Sequence, residues 1–83
     1  MGQEKRLKSA MLEVVQNQLD SNDPPETKQT LDRLIAEGFS KEEAKELIGT
    51  VVIAEVFEVM NAGKTYAKKR YVAALNKLPE VPE

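Results

Sequence analysis

The chain of 83 residues contains no cysteine, no histidine and no tryptophan. Without cysteine it has no disulfide, no thiol nucleophile and no thiolate metal ligand. Without histidine it lacks the commonest general base and the commonest metal ligand. Because these absences exclude most catalytic constellations, we expect a protein that is not an enzyme and that uses no cofactor and no metal.

Long apolar runs are also missing. No stretch approaches the roughly 18 residues of a membrane span, and no signal peptide pattern heads the chain. The composition, 41% hydrophobic and 31% charged, is that of an ordinary globular protein. We therefore expect one cytoplasmic domain over residues 1–83 with no membrane partner. A single core of this size contributes only a few kcal/mol of net stability, so self-association as a homodimer is expected.

The longest predicted helix covers residues 40–61. Ser40 is a good N-cap, Glu43 three residues later completes a capping box, and Gly63 can take the left-handed conformation that ends a helix. The alternative for residues 50–56 is a strand, because five of these seven residues are β-branched. Helix is favoured, since the helical spacing continues through this stretch and no second strand is available for pairing.

Three further helices are predicted at about residues 3–20, 24–37 and 66–78, followed by a short tail at 79–83. Asp23 is a suitable N-cap for the second helix. Pro24 would then occupy the first helical position, and Glu26 would complete an Asp-x-x-Glu capping pattern. Pro79 ends the fourth helix. The fold class is therefore all-α, a compact four-helix domain with a long central third helix.

Apolar residues at helical spacing predict which side of each helix faces the core. The first helix has an unusually wide stripe, which indicates contact with more than one neighbour. The predicted faces are Leu7, Met11, Val14, Val15 and Gln18 on the first helix; Leu31, Leu34 and Ile35 on the second; Ala44, Leu47, Ile48, Val51 and Val52 on the third; and Ala67, Tyr71, Ala74, Leu75 and Leu78 on the fourth.

The second half of the third helix is apolar nearly all round. Beyond its core-facing side it carries Ile53, Val56, Phe57 and Met60 on the opposite side. A helix of this kind is either buried centrally or shared with a second chain. We interpret these four residues as a candidate self-association surface.

Glu55 lies among the valines of the third helix, where a carboxylate must be paired, hydrogen-bonded or neutralised. The candidate partners are Arg70, Arg33 and the hydroxyl groups of Tyr66 and Tyr71. We expect Glu55, Arg70 and Tyr71 to form a structural ion pair or a polar anchor. Alternatives are that Glu55 faces water because the other side of the helix turns inward, or that it anchors a small molecule between helices.

The fourth helix is basic. Residues 64–78 contain five basic side chains and no acidic one, so the rest of the chain carries the negative charge. Lys64, Lys68, Lys69 and Arg70 with the nearby tyrosines form a candidate surface for nucleic acid or another polyanion. The alternative is a solvated basic face that pairs with the acidic residues of its own fold.

Two short motifs are similar to segments of known folds. Gly38-Phe39-Ser40 with Ala44 looks like the first loop of ubiquitin-associated domains, although that fold would need a break after Gly49. The same corner also resembles a helix-turn-helix, but its second helix would carry three glutamates towards a phosphate backbone, which repels them.

Taken as a whole, the chain resembles a set of short uncharacterised bacterial proteins. The residues that carry the resemblance are Asn22-Asp23-Pro24-Pro25-Glu26, the EGFSKEEAKELIG corner at 37–49, Glu55 with Phe57, Arg70-Tyr71, and Leu75 with Leu78-Pro79. The resemblance spans residues 22–79 and implies an all-helical fold, but no activity, ligand or site. We expect a small non-enzymatic interaction or regulatory module, with polyanion binding by the fourth helix as the alternative.

Overall fold

The computed structural model describes residues 2–81, except for the side chains of residues 2–5 and 7. Within this part the chain forms four helices, α1 (Gly2–Ser21), α2 (Pro25–Ala36), α3 (Lys41–Asn61) and α4 (Lys68–Lys77). The predicted all-α fold with a long third helix is confirmed, and the strand alternative for residues 50–56 is wrong because that segment lies inside α3. The Leu7 side chain and the last two residues of the predicted tail lie outside the described residues.

The ends of α3 follow local sequence signals. The backbone N–H of Glu43 donates to Ser40 Oγ at 3.1 Å, and the backbone N–H of Ser40 donates to Glu43 Oε1 at 2.8 Å, which completes the predicted capping box. Gly38 and Gly63, which flank the helix, have φ angles of +109° and +64°. Glycine adopts such angles more readily than any other residue, so it suits the two positions where the chain leaves α2 and α3.

The start of α2 differs from the prediction. Pro24, not Asp23, is the N-cap residue, and Pro25 occupies the first turn. Pro24 has φ −77° and ψ 150°, an extended conformation. A residue that precedes a proline is kept out of the helical region by the following ring, so Pro25 forces Pro24 outside the helix.

The fourth helix is shorter than predicted at both ends. Ala67 is an extended N-cap without a side-chain hydrogen bond, and Tyr66 lies before the helix. At the other end Leu78 has ψ 142°. Because Leu78 precedes Pro79, it is driven to an extended conformation and α4 ends at Lys77.

The core lies where α2 and α3 pack on each other and on both flanking helices, α1 and α4. The buried hydrophobic residues are Val15, Leu31, Leu34, Ala44, Ile48, Val51, Val52, Tyr71, Leu75 and Leu78. Two predicted core residues, Val14 and Ile35, are instead 41% and 42% exposed. Each is adjacent in sequence to a fully buried residue, Val15 or Leu34. Neighbours on a helix point about 100° apart, so Val14 and Ile35 lie at the edge of the core when Val15 and Leu34 point into it.

Gly49 is buried on α3 beside Met11 of α1. A Cβ atom at Gly49 would lie 2.6 Å from Sδ and 2.7 Å from Cγ of Met11. Contacts this short do not occur between real side chains, so the packing of α1 against α3 depends on the missing side chain. No helix in the described part of the chain has the length and apolar content that a membrane crossing requires.

Candidate functional site

The second half of α3 leaves its apolar side in solvent. Val56, Phe57 and Met60 are 48%, 59% and 75% exposed, and Ile53 is half-buried. Every buried residue of α3 lies at or before Val52. α3 has 21 residues whereas α2 and α4 have 12 and 10, so neither of these two helices spans its whole length.

These side chains form one wall of a recess whose other wall is α1. The recess has a volume of about 260 Å³. It is lined by Ala10, Met11, Val14, Val52, Ile53, Val56, Phe57 and Met60, all of them apolar. We call this the apolar recess, and we call its two most exposed side chains, Phe57 and Met60, the α3 ridge.

The contribution of α1 to the apolar recess did not follow from the sequence. The helical spacing of α1 predicts Met11 and Val14 as core residues within its apolar stripe. The available signal was the width of that stripe, which exceeds what one neighbour can cover. In the structure Val15 fills the core, while Ala10, Met11 and Val14 extend the apolar surface of α3 across the boundary between the two helices.

A second, larger groove lies on the other side of α3, against α4. Its volume is about 620 Å³. The residues that line it are Thr50, Val51, Ile53, Ala54, Glu55, Phe57, Glu58, Lys64, Arg70 and Ala74. Because Ile53 and Phe57 line both cavities, they separate this α3–α4 groove from the apolar recess.

Glu55 and Arg70 meet inside the α3–α4 groove. Arg70 Nε donates to Glu55 Oε1 at 2.9 Å, and Arg70 Nη2 donates to Glu55 Oε2 and to the Thr65 carbonyl. The Glu55 side chain is only 11% exposed. The hydrogen bond to Glu55 raises the pKa of the Arg70 guanidinium above its ordinary value, with the nearby carboxylate charge acting in the same direction. Both oxygens of Glu55 are therefore occupied within the chain.

The other candidate partners of Glu55 have different contacts. Arg33 Nη1 donates to Glu37 Oε2 at 2.9 Å, and Arg33 Nη2 donates to the Leu75 carbonyl at 3.1 Å. Tyr71, which the sequence grouped with Glu55 and Arg70, donates its hydroxyl proton to Gln18 Oε1 at 2.8 Å. Arg70 therefore pairs with Glu55 in the structure, whereas Tyr71 bonds to Gln18 and is not part of that pair.

Tyr71 belongs to a buried polar cluster that joins three helices. Gln18 Oε1 on α1 accepts from Tyr71 on α4 and from Thr27 Oγ1 on α2, each at 2.8 Å. Burial raises the pKa of the Tyr71 hydroxyl, so the proton that it donates to Gln18 is retained. The cluster satisfies groups that would otherwise be costly to bury, which makes it a structural feature of the core.

The candidate polyanion surface is largely neutralised by the chain itself. Lys64 Nζ lies 3.1 Å from Glu58 Oε2, Lys68 Nζ lies 3.7 Å from Glu26 Oε1, and Arg70 is paired as described. Of the four predicted residues, only Lys69 has no ion pair among the described side chains. Of the two tyrosines, Tyr71 is buried and Tyr66 is 56% exposed, so Tyr66 is the one that could stack on a base. This arrangement favours the interpretation of a basic helix that pairs with its own fold.

The Glu55–Arg70 pair is expected to contribute more to stability than the neighbouring Glu58–Lys64 pair. Glu55→Ala leaves a half-buried guanidinium with one remaining carbonyl partner, so we expect the melting temperature to fall by roughly 5 °C. The matched control is Glu58→Ala, whose pair is about half exposed and so adds little. Circular dichroism melts of the two variants make the comparison, and equal melting temperatures would contradict it.

Comparison of the chain with protein-family models, with curated proteins and with solved structures finds no match. The class of protein is therefore defined by the structure alone. It is an all-α domain with an exposed apolar surface at one end of its longest helix. Within the described residues, no three acidic side chains are grouped so that they could hold a metal ion.

Proposed function

We propose that this protein is a small non-enzymatic interaction module that self-associates through the second half of α3. The observation that carries the proposal is the exposure of Val56, Phe57 and Met60. Together with Ile53 they form a continuous apolar strip on a domain whose remaining exposed hydrophobic residues are mostly scattered. Strips of this kind on soluble proteins mark interaction sites.

Covering this strip would also be energetically favourable. Removing apolar surface from water contributes about 25 cal/mol per Å², and large flexible side chains such as Met60 are costly to leave in water at high exposure. The polar residues beside the strip are paired with each other, so covering the strip leaves their charges satisfied. An exposed strip next to satisfied charges is the arrangement of an interface core with its polar rim.

Phe57→Asp is expected to disrupt the assembly while the fold is retained. A charge placed on the α3 ridge would be buried without a partner in the assembled state, so we expect the dissociation constant of the dimer to rise by roughly 30-fold or more. Sedimentation velocity over a wide range of concentration measures this constant, and circular dichroism verifies that helicity is unchanged. The matched control is Ile35→Asp, which changes a residue of similar exposure on α2, away from the strip.

Three outcomes would count against the proposal. A protein that stays monomeric at several hundred micromolar has no self-association to explain. Equal effects of Phe57→Asp and Ile35→Asp would show that the strip is not the interface. Co-purification of nucleic acid that is released by salt and by Lys69→Ala would instead assign the function to the basic fourth helix.

A further inference from the structure

We infer that the α3–α4 groove is a binding site for a small uncharged molecule that has an apolar body and a hydrogen-bond acceptor such as an amide carbonyl. Arg70 is the residue that binds the acceptor. Two residues of the groove, Ile53 and Phe57, also border the apolar recess, but its polar groups do not. The inference goes beyond the proposed self-association and does not depend on it.

The groove has the volume and the lining of a small-molecule site. Its volume of about 620 Å³ lies within the ~300–1,000 Å³ of typical ligand pockets. Such pockets have mostly apolar walls and a few polar groups that fix the orientation of the ligand. Here the polar groups come mainly from two ion pairs, and the apolar walls from Val51, Ile53, Ala54, Phe57 and Ala74. The apolar recess has no polar side chain in its lining that would orient a ligand.

The charges of the groove are balanced within the chain. Its charged lining residues are two of each sign, and they form the pairs Glu55–Arg70 and Glu58–Lys64. A ligand with a net charge would be attracted by one member of each pair and repelled by the other. It would also lose hydration between apolar walls, which is costly for an ion that gains no counter-ion. The balance therefore favours an uncharged ligand.

The hydrogen bonds of Arg70 specify the polar group of that ligand. Nε and Nη2 donate to both oxygens of Glu55 and to the Thr65 carbonyl. The two N–H groups of Nη1, on the other side of the guanidinium, donate to no described residue. The Arg70 side chain is 33% exposed, so a molecule in the groove can reach it. Because Glu55 fixes the plane of the guanidinium, the free donors are oriented before a ligand binds, and a carbonyl oxygen is their neutral complement.

Three probes with similar alkyl chains test this selectivity. N,N-dimethyloctanamide has a carbonyl acceptor and no donor, octanoate is negatively charged, and octyltrimethylammonium is positively charged. We expect the amide to bind with a dissociation constant on the order of 0.1 mM, and each ion roughly 10-fold more weakly. Two-dimensional NMR on the isotope-labelled full chain measures these constants and locates the site. The shifts are expected at Ala54 and Ala74 in the groove, with little change at Ala10 and Val14 in the recess.

Two variants test the residues of the groove. Ala54→Leu fills the groove without changing a charge and is expected to abolish binding of the amide. Its matched control is Ala73→Leu, at an exposed position of α4 outside the groove, which is expected to bind as the unmodified chain does. Arg70→Lys keeps the charge beside Glu55 but removes the planar fork that orients Nη1, so it is expected to lose the preference for the amide over octanoate. Circular dichroism verifies that each variant is folded.

Four results would overturn the inference: no saturable shifts with the amide at millimolar concentration, equal affinity for the amide and either ion, shifts centred on the recess, or the same effect of Ala54→Leu and Ala73→Leu. Sedimentation velocity on the unmodified chain without a probe is recorded in parallel. It reports only on self-association, so the binding site and the proposed function can fail independently.

Discussion

Leu34→Ala is expected to lower the free energy of unfolding by about 2–5 kcal/mol, whereas Ile35→Ala, one residue further on, is expected to cost less than about 1 kcal/mol. Leu34 is fully buried, so its truncation removes apolar contacts and leaves a cavity between helices. Ile35 is 42% exposed and loses only part of its burial. For a domain of this size the larger value is a substantial fraction of the total stability.

Urea denaturation followed by circular dichroism at 222 nm measures both variants. The pair is informative because the two residues were predicted to lie on one apolar face of α2, and an analysis of spacing alone would assign them similar costs. Comparable losses for Leu34→Ala and Ile35→Ala would mean that α2 is rotated relative to the structure described above. The slope of the transition should stay unchanged, since the surface exposed on unfolding is nearly the same.

Gly49→Leu is expected to destabilise the fold by about 3 kcal/mol, because overpacking forces the neighbouring side chains and backbone to move. Even the first carbon of a new side chain would overlap Met11, and a branched one must displace the whole side chain or push α1 away from α3. The cost arises although leucine is a better helix former than glycine by nearly 1 kcal/mol. A stabilising effect would show that α1 and α3 do not approach closely at this point.

A double-mutant cycle tests whether Met11 is the cause. Met11→Ala removes the three atoms that lie nearest to the new Cβ, so we expect it to restore a large part of the stability lost in Gly49→Leu. The expected coupling between the two sites is about 1–2 kcal/mol. Effects that simply add would locate the strain elsewhere in the contact between α1 and α3. Because Met11 also lines the apolar recess, the same variants can be examined for dimerisation.

The interactions that the sequence determined by itself are those between residues a few positions apart. The capping box of Ser40 and Glu43 and the turn at Gly63 depend on neighbours in the chain, and so does the end of α4 before Pro79. The core-facing side of the first half of α3 was also predictable, because an apolar stripe needs only helical spacing, whereas spacing left the inward side of its second half open. The predicted start of α2 was wrong by one residue, because two local effects competed there. Asp23 favours the N-cap position, but Pro25 keeps Pro24 out of the helical conformation, and this second effect was the stronger.

Only the tertiary structure decided which side chains meet across helices. Spacing could not distinguish Val15 from Val14 as the core residue of α1. It also left four candidate partners for Glu55, and the packing of the helices places Arg70 beside it. The hydrogen bond from Tyr71 to Gln18 could likewise not be predicted from the sequence. The physical reason is that such pairings depend on the rotation of each helix about its axis and on the angle at which helices cross. Both are set by the packing of the whole core, and no segment of sequence contains them.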